Sequence, residues 1–157
     1  MNHEDAKDTK KNLIYLDVCA LSRPFDDQGF LRIRLETEAV NLILSKVRQG
    51  LYGLLVSPVH IEEIESIEDP VERIELQTML ATWGQPVTVD RAKTMTRAEE
   101  LERSRIGIAD AAHIAFAEES GAPFISVDDR LVKKCAGIAK NIWYGNPVAF
   151  CEKEELR

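Results

Sequence analysis

Hydrophobic residues fall along this chain in two alternating rhythms, short unbroken apolar runs and longer amphipathic stretches. Asn12-Leu-Ile-Tyr-Leu-Asp17 is the first run, rich in strand formers, and it reads as the first and central strand, ending on an acid. Phe30 to Gln49 then sets Leu31, Leu35, Ala39, Leu42 and Ile43 along one face, which predicts a long helix stopped by Gly50. Leu51 to Val56 predicts a second strand, and Ser57-Pro58 opens the next helix with an N-cap followed by proline at its first position. Asp69-Pro70 repeats that start for a helix through about Trp83, with Gly84 as breaker. Pro86 to Val89 predicts a short strand, and Asp90 caps a charged helix to about Ser104. An alanine-rich helix spans Asp110 to Ser120, closed by Gly121 and Pro123. A brief apolar strand, Phe124 to Val127, runs into Asp128 and Asp129. Leu131 to Ala136 continues as a short helix, Asn141 to Tyr144 is the last strand, and Asn146-Pro147 turns the chain into a charged tail.

Strands alternating with helices predict an α/β fold, whose ligand sites gather at the carboxyl ends of parallel strands. At 157 residues and 45% hydrophobic the chain fits one domain with a full core. We divide it into a polar tail, 1–11, a single domain, 12–150, and a charged C-terminal tail, 151–157. No run approaches the roughly 20 apolar residues a membrane span requires, and no charged-then-apolar leader opens the chain. The expectation is a cytoplasmic protein with no membrane partner. Cys19, Cys135 and Cys151 are odd in number and too widely spaced for a zinc site, which fits a reducing compartment.

A formal charge of -7 argues against an uncomplicated basic nucleic-acid binder. It leaves room for a nuclease whose acids share one pocket. Asp110 at a helix start and Asp128 at a strand end would face one crevice, where like charges call for a divalent cation. Asp17 also ends a strand; on spacing alone, helix cap and site residue both stay open. Glu62, Glu63 and Glu65 share a short helix, and three such glutamates read first as solvated. Glu62 and Glu63 point about 100° apart, so only one can face a given pocket. Glu36 and Glu38 read as surface acids. His60 reads as a packing or surface histidine. His113 lies on nearly the same helix face as Asp110 and reads first as packed or supporting the site. Arg23 is a candidate phosphate contact, the basic residues of the 90–104 helix read as an exposed face, and Arg130, Lys133 and Lys134 are the basic groups best placed for a phosphate.

With Asp17, Glu63, Asp110 and Asp128 in hand, the chain resembles the PIN domains, the nuclease fold of VapC-type toxins and several RNA-processing enzymes. The resemblance runs from Ile14-Tyr-Leu-Asp17 to Asn146-Pro147-Val148. Tyr-Leu-Asp17-Val-Cys-Ala is similar to the family's first acid at the end of its first strand. Ser57-Pro-Val-His-Ile-Glu-Glu63-Ile64 matches its glutamate just ahead of an apolar residue, with Glu62 as the fallback. Ile-Ala-Asp110-Ala-Ala-His-Ile-Ala matches the third acid. Ile-Ser126-Val-Asp128-Asp129-Arg-Leu supplies the small hydroxyl residue and, two places on, the fourth. The opening through Asp27 and the run Leu31-Arg-Ile-Arg-Leu-Glu also resemble small stand-alone bacterial members. One departure is Cys19, where many members carry Ser, Thr or Asn, because a thiol is a poor partner for magnesium.

The resemblance implies a three-layer α/β/α fold with a central, mainly parallel sheet flanked by helices. It also implies a metal-dependent endoribonuclease in which Asp17, Glu63, Asp110 and Asp128 are the catalytic acids and hold Mg²⁺ or Mn²⁺. RNA is then the substrate. The toxin likeness further implies a homodimer and an antitoxin protein inserted into the acidic groove. Two other classes compete. A PIN-like RNA-binding or scaffold protein without turnover is the principal alternative. An aspartyl phosphatase would carry a second Asp where Cys19 stands, and a receiver domain would want paired acids and a later lysine, so both rank below it.

Overall fold

Leu13–Leu16 forms β1, and its side chains alternate between two separate cores. Ile14 and Leu16 pack into one cluster, Tyr15 into the other. That period-two alternation is what a strand covered on both faces requires. The computed structural model describes residues 12–157, so the polar tail expected at 1–11 lies outside the described residues.

The elements follow in the order β1, α1 (Val18–Leu21), a 3-10 turn (Arg23–Phe25), α2 (Leu31–Arg48), β2 (Gly53–Val56), α3 (Pro58–Glu65), α4 (Pro70–Trp83), β3 (Gly84–Pro86), α5 (Arg91–Arg103), α6 (Ile108–Ser120), β4 (Phe124–Ile125), α7 (Asp129–Ile138), β5 (Tyr144–Gly145) and α8 (Pro147–Lys153). The five strands form one sheet in the order β3-β2-β1-β4-β5, and every neighbouring pair is parallel. β1 is central, as expected. Residues of α1, α2, α3, α4 and α8 fill the core on one face of the sheet, and residues of α5, α6 and α7 fill the other. The fold is therefore a three-layer α/β/α sandwich. Among the described residues, no helix is long and apolar enough to cross a membrane.

Caps place most helix starts where local chemistry puts them. Asp69 accepts from the N–H groups of Val71 and Glu72, and Asp90 from that of Lys93. Gly121, with φ at +65°, closes α6 in the left-handed conformation that glycine adopts without strain.

Several expectations change, among them the last strand, expected over Asn141 to Tyr144 and found at Tyr144–Gly145. The buried stripe of α2 is Glu36, Ala39, Val40, Ile43, Leu44 and Val47, whereas Leu31 and Leu35 are exposed. The third strand begins at Gly84 and ends at Pro86, ahead of the expected Pro86 to Val89. Pairing with β2 sets its position, and a Cβ on Gly84 would lie 2.6 Å from the Leu80 carbonyl, so only glycine lets α4 pass straight into the sheet. Residues after Asn146 do not begin a tail. Asn146 caps α8 through the Ala149 N–H, α8 packs against α2, and Cys151 and Leu156 lie against the core. The charged residues hid an apolar stripe on a short helix.

Candidate active site

β1 and β4 lie side by side where the strand order reverses direction, the position at which open α/β sheets leave a crevice beyond their carboxyl ends. Asp17 leaves β1 on one side of that crevice. Ser126 and Asp128 leave β4 on the other.

Asp17 is 3% exposed and serves as the N-cap of α1, its Oδ1 accepting from the Ala20 N–H at 3.0 Å and from the Cys19 thiol at 3.1 Å. Cap and pocket residue are therefore not alternatives, since a cap occupies only part of a carboxylate. Burial pushes this carboxyl above its usual range, and Ser126, His113, Cys19 and the Ala20 N–H offset part of that rise. The same surroundings raise the Cys19 thiol, first by desolvation and then by the Asp17 charge. Asp128 caps α7, its Oδ1 accepting from the N–H groups of Arg130 and Leu131 at 3.1 and 3.2 Å.

Asp110 sits in the first turn of α6 and is partly buried. A helix N-terminus normally favours a carboxylate. Here the carboxyl is instead raised, first by desolvation and then by the charge of Asp17, with Asp128 and Glu63 adding to it and His113 opposing. The other three acids therefore all raise Asp110.

Glu63 is half-buried and Glu62 is exposed. His113 explains the difference: its Nε2 hydrogen-bonds Glu63 Oε1, linking α6 to α3. Behind His113 lies a buried polar network. Tyr15 Oη is 2.5 Å from His113 Nδ1 and 2.7 Å from Ser57 Oγ. The Ser57 N–H donates to His60 Nδ1 at 3.0 Å, and His60 Nε2 donates to the Leu16 carbonyl at 2.7 Å. Burial, with His113 adding, pushes His60 down to about 3, so its ring is neutral and its tautomer is set by the carbonyl that can only accept. Burial likewise raises Tyr15 well above the usual phenol range. Tyr15 and Ser57 are site-supporting residues missed from sequence; the signal was a tyrosine in the middle of a buried strand, whose hydroxyl needs a partner.

The basic residues divide differently than expected. Arg23 is held by Glu36, at 2.7 Å, and by Asp26, so it is committed to carboxylates instead of facing a phosphate. Glu36, expected at the surface, is 2% exposed because this pair lets α2 bury it. Arg32 bridges Asp129 at 2.7 Å and approaches Glu36 at 3.5 Å, tying the start of α2 to the start of α7. Arg97 is not part of an exposed face: it pairs with Glu118 and donates to the Ile138 carbonyl beside a surface hollow of about 610 Å³. Lys134 donates to the Arg105 carbonyl, while Arg130 and Lys133 are exposed.

The profile of the PIN domain family matches residues 14–137, a span that includes all four acids. The chain belongs to the PIN domain family. No curated protein matches it. Among solved structures this PIN domain is similar to FitAcB from Neisseria gonorrhoeae, at 17% identity and a TM-score of 0.52, covering 85% of this chain and 97% of that one. It is similar to VapBC2 from Rickettsia felis bound to a DNA fragment from their promoter, at 12% identity and a TM-score of 0.54, covering 85% and 98%. FitAB bound to an IR36 DNA fragment matches at 17% identity and 0.53, covering 86% and 95%. At such identities the likeness establishes the fold.

PIN domains are generally nucleases and usually use divalent metals. The donor chemistry of these acids fits such an ion, because hard carboxylate oxygens are what Mg²⁺ and Mn²⁺ select. As the side chains stand, no three His, Cys, Asp or Glu side chains among the described residues make a ready ligand set.

Proposed function

We propose that this PIN domain is a metal-dependent endoribonuclease, with Asp17, Glu63, Asp110 and Asp128 as its catalytic acids. The observation that carries the reading is that Asp17 and Asp128 follow the carboxyl ends of the adjacent strands β1 and β4, and that the partly buried carboxyl of Asp110 is raised first by burial and then by the charges of these two acids and Glu63, with His113 opposing. A pocket with that surplus of negative charge is stabilised by a cation and by little else. The four carboxylates would hold Mg²⁺ or Mn²⁺ through oxygen, directly or through water. When bound, such an ion supplies Lewis acidity that makes water easier to deprotonate and offsets charge building on the phosphate oxygens.

The chain's own residues do the rest. Asp17, held by the α1 N-terminus, and Asp128, held by that of α7, are rigid acceptors at the two edges of the crevice. Asp110 and Glu63 come from helices on either side and close the set. Arg130 and Lys133, exposed on α7 directly after Asp128, offer charge to the flanking phosphates of an RNA strand. No histidine or lysine base is required.

Two of the neighbours, FitAB and VapBC2, are bound to DNA. From the family resemblance we carry over the reading of a toxin, dimeric and inhibited by an antitoxin that occupies the acidic groove. Co-purification from the native host tests it, and a chain recovered alone, active and harmless to growth, would count against it.

A second reading, an inactive RNA-binding or scaffold protein, is favoured by the lack of a ready ligand set among the described residues. End-labelled mixed RNA separates the two. Cleavage in Mn²⁺ or Mg²⁺ that stops with chelator and with Asp110→Asn supports the nuclease; RNA bound but left whole in every metal supports the scaffold.

A further inference from the structure

We infer that His113, itself held by Tyr15, is the positioning residue that aims Glu63 into the acidic pocket; the inference rests on the nuclease reading above. Glu63 lies near the C-terminal end of α3, a helix of 8 residues, and its side chain is long and 37% exposed. Such a side chain samples several rotamers in solvent, and freezing it has an entropic cost. A catalytic carboxylate has to be held within a fraction of an ångström. His113 does that holding. Its ring is 1% exposed, lies edge-on to Tyr15 and to His60, and reaches Glu63 from a different helix.

The two ends of the network each fix one hydrogen bond. The Glu63 carboxylate can only accept, so His113 Nε2 carries a proton whatever the state of the other ring nitrogen. With the ring neutral, His113 Nδ1 accepts from the Tyr15 hydroxyl, and the Tyr15 oxygen then receives the Ser57 hydroxyl. The Ser57 N–H goes to His60 and the His60 N–H to Leu16, so the network is anchored on the carbonyl just before Asp17. Asp17 and Glu63 are thereby referred to one rigid frame, the carboxyl end of β1. Glu62, one residue earlier on α3, is exposed, and of the two glutamates it is Glu63 that His113 bonds.

Two measurements on the full chain test this: Mn²⁺ affinity by titration calorimetry, and kcat and KM on a fluorogenic RNA. His113→Phe keeps the ring and removes both nitrogens, and His113→Gln restores one N–H donor. Loss of a residue that orients a metal-binding carboxylate typically costs 10–100-fold. We expect His113→Phe to weaken Mn²⁺ binding by about 10-fold and to lower kcat by roughly 10–100-fold with KM within about 3-fold. His113→Gln should recover most of both, and Tyr15→Phe should give a smaller loss of the same kind. In a Glu63→Gln background His113→Phe should add nothing further. Wild-type values in both His113 variants, or an undiminished His113→Phe loss in the Glu63→Gln background, would overturn the inference. If His113→Phe does not fold, His113→Gln and Tyr15→Phe carry the comparison. If the parent cleaves no RNA, the nuclease reading fails by itself; the calorimetry still decides, for the inference if Mn²⁺ binding depends on His113 and against it if it does not.

Discussion

His113 Nε2 hydrogen-bonds Glu63 Oε1 across a sequence separation of 50 residues, joining the helix that carries Asp110 to the helix after β2. In the proposed site this contact favours Glu63 over the adjacent Glu62. Glu63→Gln should lower RNA cleavage by at least about 100-fold, while Glu62→Gln should stay within about 2-fold, because a group acting only at the reacting centre changes the barrier by several kcal/mol. Steady-state cleavage of one labelled RNA by the two variants checks this, and equal losses would remove the assignment.

Asp17→Asn is expected to abolish most cleavage and yet to stabilise the metal-free protein. The sign follows from the raised carboxyl. Its ordinary value is 3.8 and the folded value lies above that. Between the two, the folded chain keeps a proton that the unfolded chain has lost, so stability falls as pH rises through that window. Asp110 acts in the same direction. Thermal melts in chelator should show Tm declining from about pH 4 upward in the parent. The decline should be shallower in Asp17→Asn, and identical slopes would contradict the account.

Divalent metal should reverse that penalty. At Mn²⁺ of about 100 times its Kd the folded state gains about 2.7 kcal/mol, or roughly 5–10 °C in Tm for a domain of this size. Asp110→Asn should lose most of the gain at the same concentration. A shift unchanged in that variant would mean the ion binds elsewhere.

Tyr15→Phe leaves His113 Nδ1 without its partner inside the protein, while the Ser57 hydroxyl keeps His60 Nδ1 at 3.2 Å. Leaving buried polar groups unsatisfied costs about 1–3 kcal/mol. Urea unfolding should show that loss without a change in slope; a neutral substitution would mean that water replaces the hydroxyl.

Arg23→Ala removes the main partner of Glu36, a carboxylate buried within α2. Breaking one side of a buried pair costs roughly 3–5 kcal/mol, and Arg32, 3.5 Å from the same oxygen, should reduce this to about 2–3 kcal/mol. Arg23→Ala/Glu36→Gln should recover part of the loss in the same unfolding assay, and no recovery would argue against charge as the cause.

Local chemistry was enough to order most of this chain. Ser57-Pro58, Asp69-Pro70 and Asp90 mark helix starts because a cap and its partners lie within three residues of each other. The short apolar runs mark the strands of a doubly covered sheet because both faces must be apolar. Asp17, Asp110 and Asp128 could be picked out as acids at element ends for the same reason, and the sequence pattern around them resembled one family. Other features were invisible at that range. Glu36 reads as a surface acid until Arg23 folds back over α2, and Arg23 reads as a free phosphate contact until Glu36 takes it. The stretch after Asn146 reads as a tail until its apolar side meets α2. Glu62 and Glu63 are equivalent until His113 arrives from α6. Hydrogen bonds and caps close over a few residues, so they are written in the local sequence; the burial of a charge depends on which distant partner reaches it, and only packing of the three layers decides that.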